Sequence, residues 1–293
     1  MSTERISARY VDLDAWETGE ALEAMLEGQL SAVAAVRAAL PAIGRAVDDA
    51  AARLGETGRL VYLGAGTSGR IAVQDGAELT PTFDWPRERL VFAIAGGEGA
   101  LVASAEGAED DEDAAIAAMD AAALGPADVA IGVAASGTTP FTIAGIARAR
   151  AAGALTIGIA SNADAPLLAA AERAILLETG GEPIAGSTRM KAGTAQKVAL
   201  NLISTGIMLR MGRVYRGMMV NMRAANAKLR RRAEVIVARI AGCEEEVARA
   251  ALAEADGDIK VAVLVVLGAG PETARARLAA SAGNLRLALA DLQ

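Results

Sequence analysis

Four short apolar, β-branched runs recur along the chain, Leu60–Leu63, Leu90–Ala95, Asp128–Ala134 and Ala154–Ala160, each closed by glycine or serine and followed by helix-like sequence. A fifth, Ala174–Glu178, precedes Gly180-Gly181. Strands this short, alternating with helices, predict an α/β fold: a doubly wound five-stranded parallel sheet covered on both faces, with ligands at the carboxyl ends of its strands. The intervening helix patterns cover Ser68–Ala77, Glu109–Ala122, Pro140–Ala152, Ala165–Ala171 and Lys191–Met211. Ahead of the sheet, Glu17–Leu54 reads as two helices divided at Pro41. From Met218 onward no further strand-and-crossover unit is visible. Helices are expected over Met218–Ala241, Glu244–Ala255, Ile259–Leu267 and Glu272–Leu292, with Asp258 as an N-cap. The expected division is an α/β domain with flanking helices over 1–241 and a small helical subdomain over 242–293, with Gly242 at the boundary.

Composition narrows the chemistry. None of the 293 residues is histidine, so proton transfer near neutral pH falls to carboxylates, lysine, tyrosine or the lone thiol of Cys243, and a histidine-based triad is excluded. One cysteine and no histidine also disfavour a zinc site. The net charge of −7 opposes a general nucleic-acid role, and the cluster Lys228-Leu229-Arg230-Arg231-Arg232 reads as a solvated helix face. No run of eighteen apolar residues occurs, and Met1–Ile6 lacks the basic and apolar regions of a secretory signal. The expectation is a cytoplasmic chain with neither membrane nor nucleic acid as partner.

Three segments carry the chemistry. Gly64-Ala65-Gly66-Thr67-Ser68-Gly69-Arg70 follows the first strand and opens a helix, where unpaired N–H groups, the helix dipole and close backbone approach favour a phosphate. The glycines also fit a dinucleotide fingerprint, but the acidic residue expected at the end of the next strand is poorly spaced, and the lysine of a P-loop is missing. A second hydroxyl turn, Ala135-Ser136-Gly137-Thr138-Thr139-Pro140, follows the third strand. Two such turns at neighbouring strand ends make a pocket for a polyol phosphate. The third segment, Gly186–Lys197, places Arg189, Lys191 and Lys197 where a helix begins. Cations there oppose the dipole and require an anion or a partner carboxylate. Among acids, Asp75 and Glu78 lie three apart at the end of the first-turn helix, where Thr80-Pro81-Thr82 stops it, and can share a face. The acidic run Glu106–Asp113 reads chiefly as dipole-favourable surface charge.

With these segments in view the chain resembles the N-acetylmuramic acid 6-phosphate etherases, members of the sugar isomerase (SIS) superfamily related to the glucokinase regulatory protein. The resemblance spans nearly the whole chain and rests on Leu63–Arg70, Glu106-Gly107-Ala108-Glu109-Asp110, Ala134–Gly137 and Gly186–Lys197. Two departures stand out: Thr138 occupies a place where the family often has arginine, and Gly181-Glu182-Pro183 replaces the usual Gly-Pro-Glu. The resemblance implies cleavage of the ether joining D-lactate to carbon-3 of the sugar, through the ring-opened aldehyde, with no metal or organic cofactor. It implies Glu78 as the acid that protonates departing lactate and Glu109 as the second acid–base carboxylate. It implies substrate binding by Gly66, Thr67, Ser68, Ser136, Gly137, Thr139, Glu182, Ser187, Arg189 and Lys191, and a homodimer. Two alternatives stay open on the residues alone: an aldose–ketose isomerase, which shares the carbon-2 deprotonation, and a non-catalytic sugar-phosphate sensor.

Overall fold

The computed structural model describes the chain apart from residues 2, 104, 223, 225 and 291–293. In chain order its first elements are α1 (Thr18–Leu54), β1 (Leu60–Gly64), α2 (Gly66–Ala77), α3 (Leu79–Phe83), β2 (Leu90–Ile94) and α4 (Glu112–Ala121). Next come β3 (Val129–Val133), α5 (Pro140–Ala151), β4 (Leu155–Ala160), α6 (Pro166–Ala170), β5 (Arg173–Leu176) and α7 (Lys191–Arg210). The remainder holds β6 (Val214–Tyr215), β7 (Met218–Met219), α8 (Ala227–Ala241), α9 (Glu245–Glu254), α10 (Ile259–Val266), α11 (Pro271–Ala280) and α12 (Leu285–Ala290). These divide into two compact units, Met1–Ala77 with Arg87–Gly206, and Glu78–Pro86 with Ile207–Gln293.

The first unit is the expected doubly wound sheet, all parallel, in the order β2-β1-β3-β4-β5. Every residue of β1, β3 and β4 is buried, which is why these runs show continuous apolar character rather than alternation. Side chains such as Leu60, Ile131 and Ile157 are wholly buried, each contributing roughly 1.5–3 kcal/mol. On one face Val61, Leu63 and Ala130 pack with Met119 of α4, Phe141 and Ile146 of α5 and Leu167 of α6. On the other, Gly76 of α2 lies against the rings of Tyr62 and Phe92, and Gly206 of α7 lies against Val47 of α1. A Cβ at Gly76 would stand 2.6 Å from Phe92 and collide with the rings, and one at Gly206 would stand 3.0 Å from Val47, a tight contact.

The structure corrects the division of Glu17–Leu54 into two helices. α1 is one helix of 37 residues that runs through Pro41. Its buried stripe, Ala24, Gly28, Ala32, Val36, Ala39, Ile43, Ala46, Val47, Ala50 and Leu54, continues past the proline in unbroken register. That packing outweighs the cost of an interior proline, about 3 kcal/mol for the lost hydrogen bond and the ring's clash with the preceding turn together. α2 ends at Ala77, where its sequence pattern predicts, but the threonine-proline stop is not what ends it. Thr80-Pro81-Thr82 lies beyond that end, and Pro81 sits in the first turn of α3, where its missing N–H is harmless.

In the second unit α8, α9 and α10 share a core with α11, in which Val237, Ala248, Ala262, Val263, Leu264 and Ala274 are fully buried. Gly242 ends α8 in the left-handed region, with φ 71°. Because α8 packs on α9 and α10, the unit includes residues on both sides of Gly242 and extends back to Ile207. Met218 does not begin a helix. Arg216 and Gly217, both with positive φ, close a two-residue turn that pairs β6 with β7, and α8 starts only after Asn226, whose side chain accepts from Leu229 N. Asp258 caps α10 as expected, accepting from Lys260 N and Val261 N. The last helix is divided: Gly283, with φ 71°, ends one segment and Asn284 Oδ1 starts the next by accepting from Arg286 N and Leu287 N. Its expected end, Leu292, lies outside the described residues.

Candidate functional site

The two hydroxyl turns meet where the sheet reverses its winding. β1 and β3 are paired neighbours, with Gly64 beside Val133, so the turns that follow them leave the sheet side by side. β1 leads into α2 without a linker residue beyond Ala65, and a Cβ on Gly69 would stand 2.7 Å from Gly64 O. Glycine at both positions therefore brings the helix start down onto the strand end. Gly66 itself has φ 52°. Gly69 N is the first amide of this turn to find an upstream carbonyl, that of Ala65, at 3.0 Å. The amides of Gly66, Thr67 and Ser68 are thus the helix-start donors. Thr67 is half-buried, whereas Ser68 is 8% exposed and its Oγ lies 3.0 Å from Gln196 Oε1 of α7.

In the second turn Ser136 Oγ accepts from Thr138 N at 3.2 Å. Gly137 has φ 72°, and a Cβ there would collide with Ala165 and Ala160. Thr139 is the N-cap residue of α5, with its side chain making no capping bond. A pocket of about 440 Å³ opens beside this turn, lined by Ser136, Thr138, Asn162, Glu178 and Gly180 among others. Asn162 follows β4 and donates through Nδ2 to the carbonyls of Ser136 and Ala135, fixing the turn from the neighbouring strand end.

The third segment reaches the same end of the sheet, where Lys191 Nζ lies 3.9 Å from the Cβ position of Gly180. A carboxylate does stand at this helix start: Glu182, wholly buried, with Oε2 accepting from Lys191 N at 2.8 Å and Oε1 from Ala192 N at 2.9 Å. Both oxygens face the start of α7, so Glu182 acts as its cap. Lys191 Nζ donates to Gly181 O at 3.0 Å. Burial lowers the Lys191 pKa, and the nearby Glu182 charge opposes that shift. Ser187 is half-buried and Arg189 exposed on the loop that precedes α7. Gly186 N donates to the carbonyl of Thr3, a residue that is itself wholly buried.

The two carboxylates differ in setting. Glu109 is exposed in the short 3-10 turn Ala108–Asp110, ahead of α4 rather than within it, because Asp111 caps that helix by accepting from Ala114 N. Glu78 is exposed and stands as the N-cap residue of α3, the first residue of the second unit. It does not share a helical face with Asp75. Asp75 is 2% exposed and lies 3.3 Å from the Tyr62 hydroxyl and 3.5 Å from Asn201 Nδ2. Burial raises the Asp75 pKa against the pull of Ser204, Lys197, Asn201 and Tyr62, and burial likewise raises Tyr62.

Gln196, Asn162 and Thr3 are the residues of this region that the sequence reading missed. Asn162 carried a signal, since Ser161-Asn162 closes the fourth apolar run just as hydroxyl residues close the third. Gln196 lay within the Gly186–Lys197 segment without being singled out from its neighbours, and Thr3 lay far upstream with nothing local to mark it.

Comparison with known proteins follows the same lines. The family profile of the glucokinase regulatory protein N-terminal SIS domain matches residues 42–150, and that of the SIS domain matches 106–205. The N-acetylmuramic acid 6-phosphate etherase of Deinococcus radiodurans is 51% identical over 258 residues, covering 88% of this chain and 85% of that protein. The protein of the same name from Streptomyces avermitilis is 45% identical over 262 residues, covering 89% and 84%. That from Salmonella choleraesuis is 44% identical over 258 residues, covering 88% and 87%.

Proposed function

We infer that this chain, which belongs to the N-acetylmuramic acid 6-phosphate etherase family, cleaves the D-lactyl ether of N-acetylmuramic acid 6-phosphate to give N-acetylglucosamine 6-phosphate and D-lactate. The observation that carries this reading is the 51% identity to a named etherase over 258 residues. The paired turns after β1 and β3 support it independently, as a seat for a phosphorylated polyol.

The reaction needs two proton-transfer groups and no electron sink beyond the substrate's own aldehyde. In the ring-opened sugar the carbonyl acidifies the carbon-2 proton, which the Glu109 carboxylate removes. The electron pair forms the carbon-2–carbon-3 double bond as the carbon-3–oxygen bond breaks, and the Glu78 carboxylic acid protonates the departing lactate oxygen. Water then adds at carbon-3, losing its proton to Glu78, while Glu109 returns its proton to carbon-2. The balance is one water consumed and one lactate released. The amides of Gly66, Thr67 and Ser68, with the hydroxyls of Thr67, Ser68, Ser136 and Thr139, hold phosphate and sugar oxygens. Gly137 lets the second turn approach the sugar; Ser187, Arg189 and Lys191 complete the pocket, on a loop that Glu182 anchors.

The exposed stripe Leu22, Leu26, Leu30, Val33 and Leu40 on α1 supports a homodimer. A cytoplasmic location suits a chain whose one cysteine, Cys243, is free.

Assay of D-lactate release from N-acetylmuramic acid 6-phosphate tests the reading. Glu78→Gln is expected to lower that release by at least about 100-fold while phosphate affinity stays intact. Unchanged turnover in this variant removes the assignment of Glu78. Absence of lactate from the native protein removes the reaction.

A further inference from the structure

Gln196 lies in the second turn of α7, wholly buried, and its side-chain amide pairs with Ser68 Oγ at 3.0 Å. With Ser68 donating to Oε1, the Nε2 group is buried with no acceptor among the described residues. A buried N–H group without a partner is unfavourable by about 1–3 kcal/mol, and this amide presents two such protons. The same orientation also uses the only proton of Ser68. A hydroxyl that donates to glutamine offers an anion nothing but lone pairs, although Ser68 sits in the first turn of α2, where an anion is favoured.

Reversing the amide removes both conflicts. The oxygen and nitrogen of a side-chain amide are interchangeable in shape, so the pairing distance holds in either sense. With Nε2 donating to Ser68 Oγ, the serine proton is released toward the mouth of the turn, and the group left over is a carbonyl, which tolerates burial without a partner better than an N–H does. A bound phosphate favours this sense further by accepting a charge-assisted bond from Ser68.

We infer that Gln196 is the positioning residue of the phosphate site: its amide donates to Ser68 Oγ and so directs the Ser68 hydroxyl proton onto a phosphate oxygen. The relay runs from Gln196 to Ser68 to the anion, and it rests on the reading of the first turn as a phosphate seat. A plain structural tie between α2 and α7 makes a different prediction, because any side chain that preserved the packing would then serve.

Calorimetric titration of inorganic phosphate and N-acetylglucosamine 6-phosphate into the full chain separates the two. Gln196→Leu is expected to weaken both ligands by about 10-fold, with KM for the etherase substrate rising similarly and kcat within about twofold of native. The double variant Ser68→Ala with Gln196→Leu is expected to bind no more weakly than Ser68→Ala alone, because the residues act in series. Gln196→Glu keeps the shape and the contact but makes the side chain an acceptor when ionised. Its phosphate affinity, taken relative to native protein at each pH, is expected to be low at neutral pH and to recover as the carboxyl is protonated. Native-like affinity in Gln196→Leu, fully multiplicative losses in the double variant, or a pH-independent loss in Gln196→Glu each overturns the relay. Should the leucine variant not fold, the glutamate variant decides alone. If Ser68→Ala leaves phosphate affinity unchanged, the phosphate seat and the relay fall together. If the native protein binds phosphate without releasing D-lactate, only the etherase reading falls.

Discussion

Lys191 opens α7 as a cation at the positive end of a helix, and Glu182 reverses the sign of that local field with both carboxylate oxygens on the first two amides. The arrangement exceeds an ordinary N-cap, since one carboxylate satisfies two donors that burial has removed from water. Glu182→Ala strands both amides and is expected to lower unfolding free energy by about 2–4 kcal/mol, with Glu182→Gln retaining part of the loss. Urea denaturation followed by circular dichroism measures it; a difference below about 0.5 kcal/mol, the scale of ordinary surface substitutions, means the cap is incidental. Sequence reasoning went halfway here. Three cations at a helix start called for an anion or a partner carboxylate, but naming Glu182 as the acid at that start required the path of the loop, because it sits nine residues before Lys191. Ser68 shows the same limit: its place at a helix start was readable from the glycines around it, whereas its contact spans 128 residues to Gln196.

Among the elements, α3 depends most on a distant side chain. Five residues make too short a helix to persist by propensity. Its last carbonyls are held by Arg213 Nη1, which donates to Phe83 O at 2.8 Å and Asp84 O at 3.1 Å while the guanidinium lies 5.0 Å from the Trp85 ring centroid. A cation at a helix C-terminus complements the dipole, and Glu78 forms the opposite end, its carbonyl accepting from Thr82 N. Arg213→Met is therefore expected to speed amide hydrogen exchange across residues 79–85 by about 10-fold or more and to lower kcat with phosphate affinity kept. Exchange unchanged in that segment sinks the claim. This dependence explains an unreadable boundary: Asp75 and Glu78 have helical spacing, yet the chain breaks between Ala77 and Leu79 because α3 joins a different packed body. Strands were far more legible. Each of the five runs is a strand to within two residues, and for β1, β3 and β4 complete burial leaves an apolar, β-branched record in the chain itself. Pro41 misled for the converse reason, its local signal being outweighed by a buried stripe that extends on both sides.

At the scale of the molecule, each unit has its own core, and α1 adds a surface that the first unit leaves open. Leu22, Leu26, Leu30, Val33 and Leu40 are between 44% and 62% exposed, although the same helix buries a second stripe from Ala24 to Leu54. From Leu26 through Leu30, Val33, Arg37 and Leu40 the spacing alternates between four and three, the seam of a helix that packs against another helix. Among the described helices α1 alone has the length and apolarity of a membrane span. Its charged residues, including Glu20, Glu23, Arg45 and Asp49, make a lipid environment unfavourable, and Asp49 is ion-paired with Arg173 of β5. Pairing with a second copy removes the exposed seam from water, at roughly 1.5–3 kcal/mol for each fully covered leucine before the cost of association. Leu26→Glu with Leu30→Glu places like charges on that seam in both copies. Light scattering after gel filtration is expected to give twice the chain mass for the native protein and the chain mass for the variant, with the variant's secondary structure retained because neither side chain belongs to the buried stripe. A native protein that runs as a monomer at tens of micromolar rules out pairing through α1. A variant that stays dimeric moves the interface elsewhere, and leaves the exposed seam to be explained by a different partner.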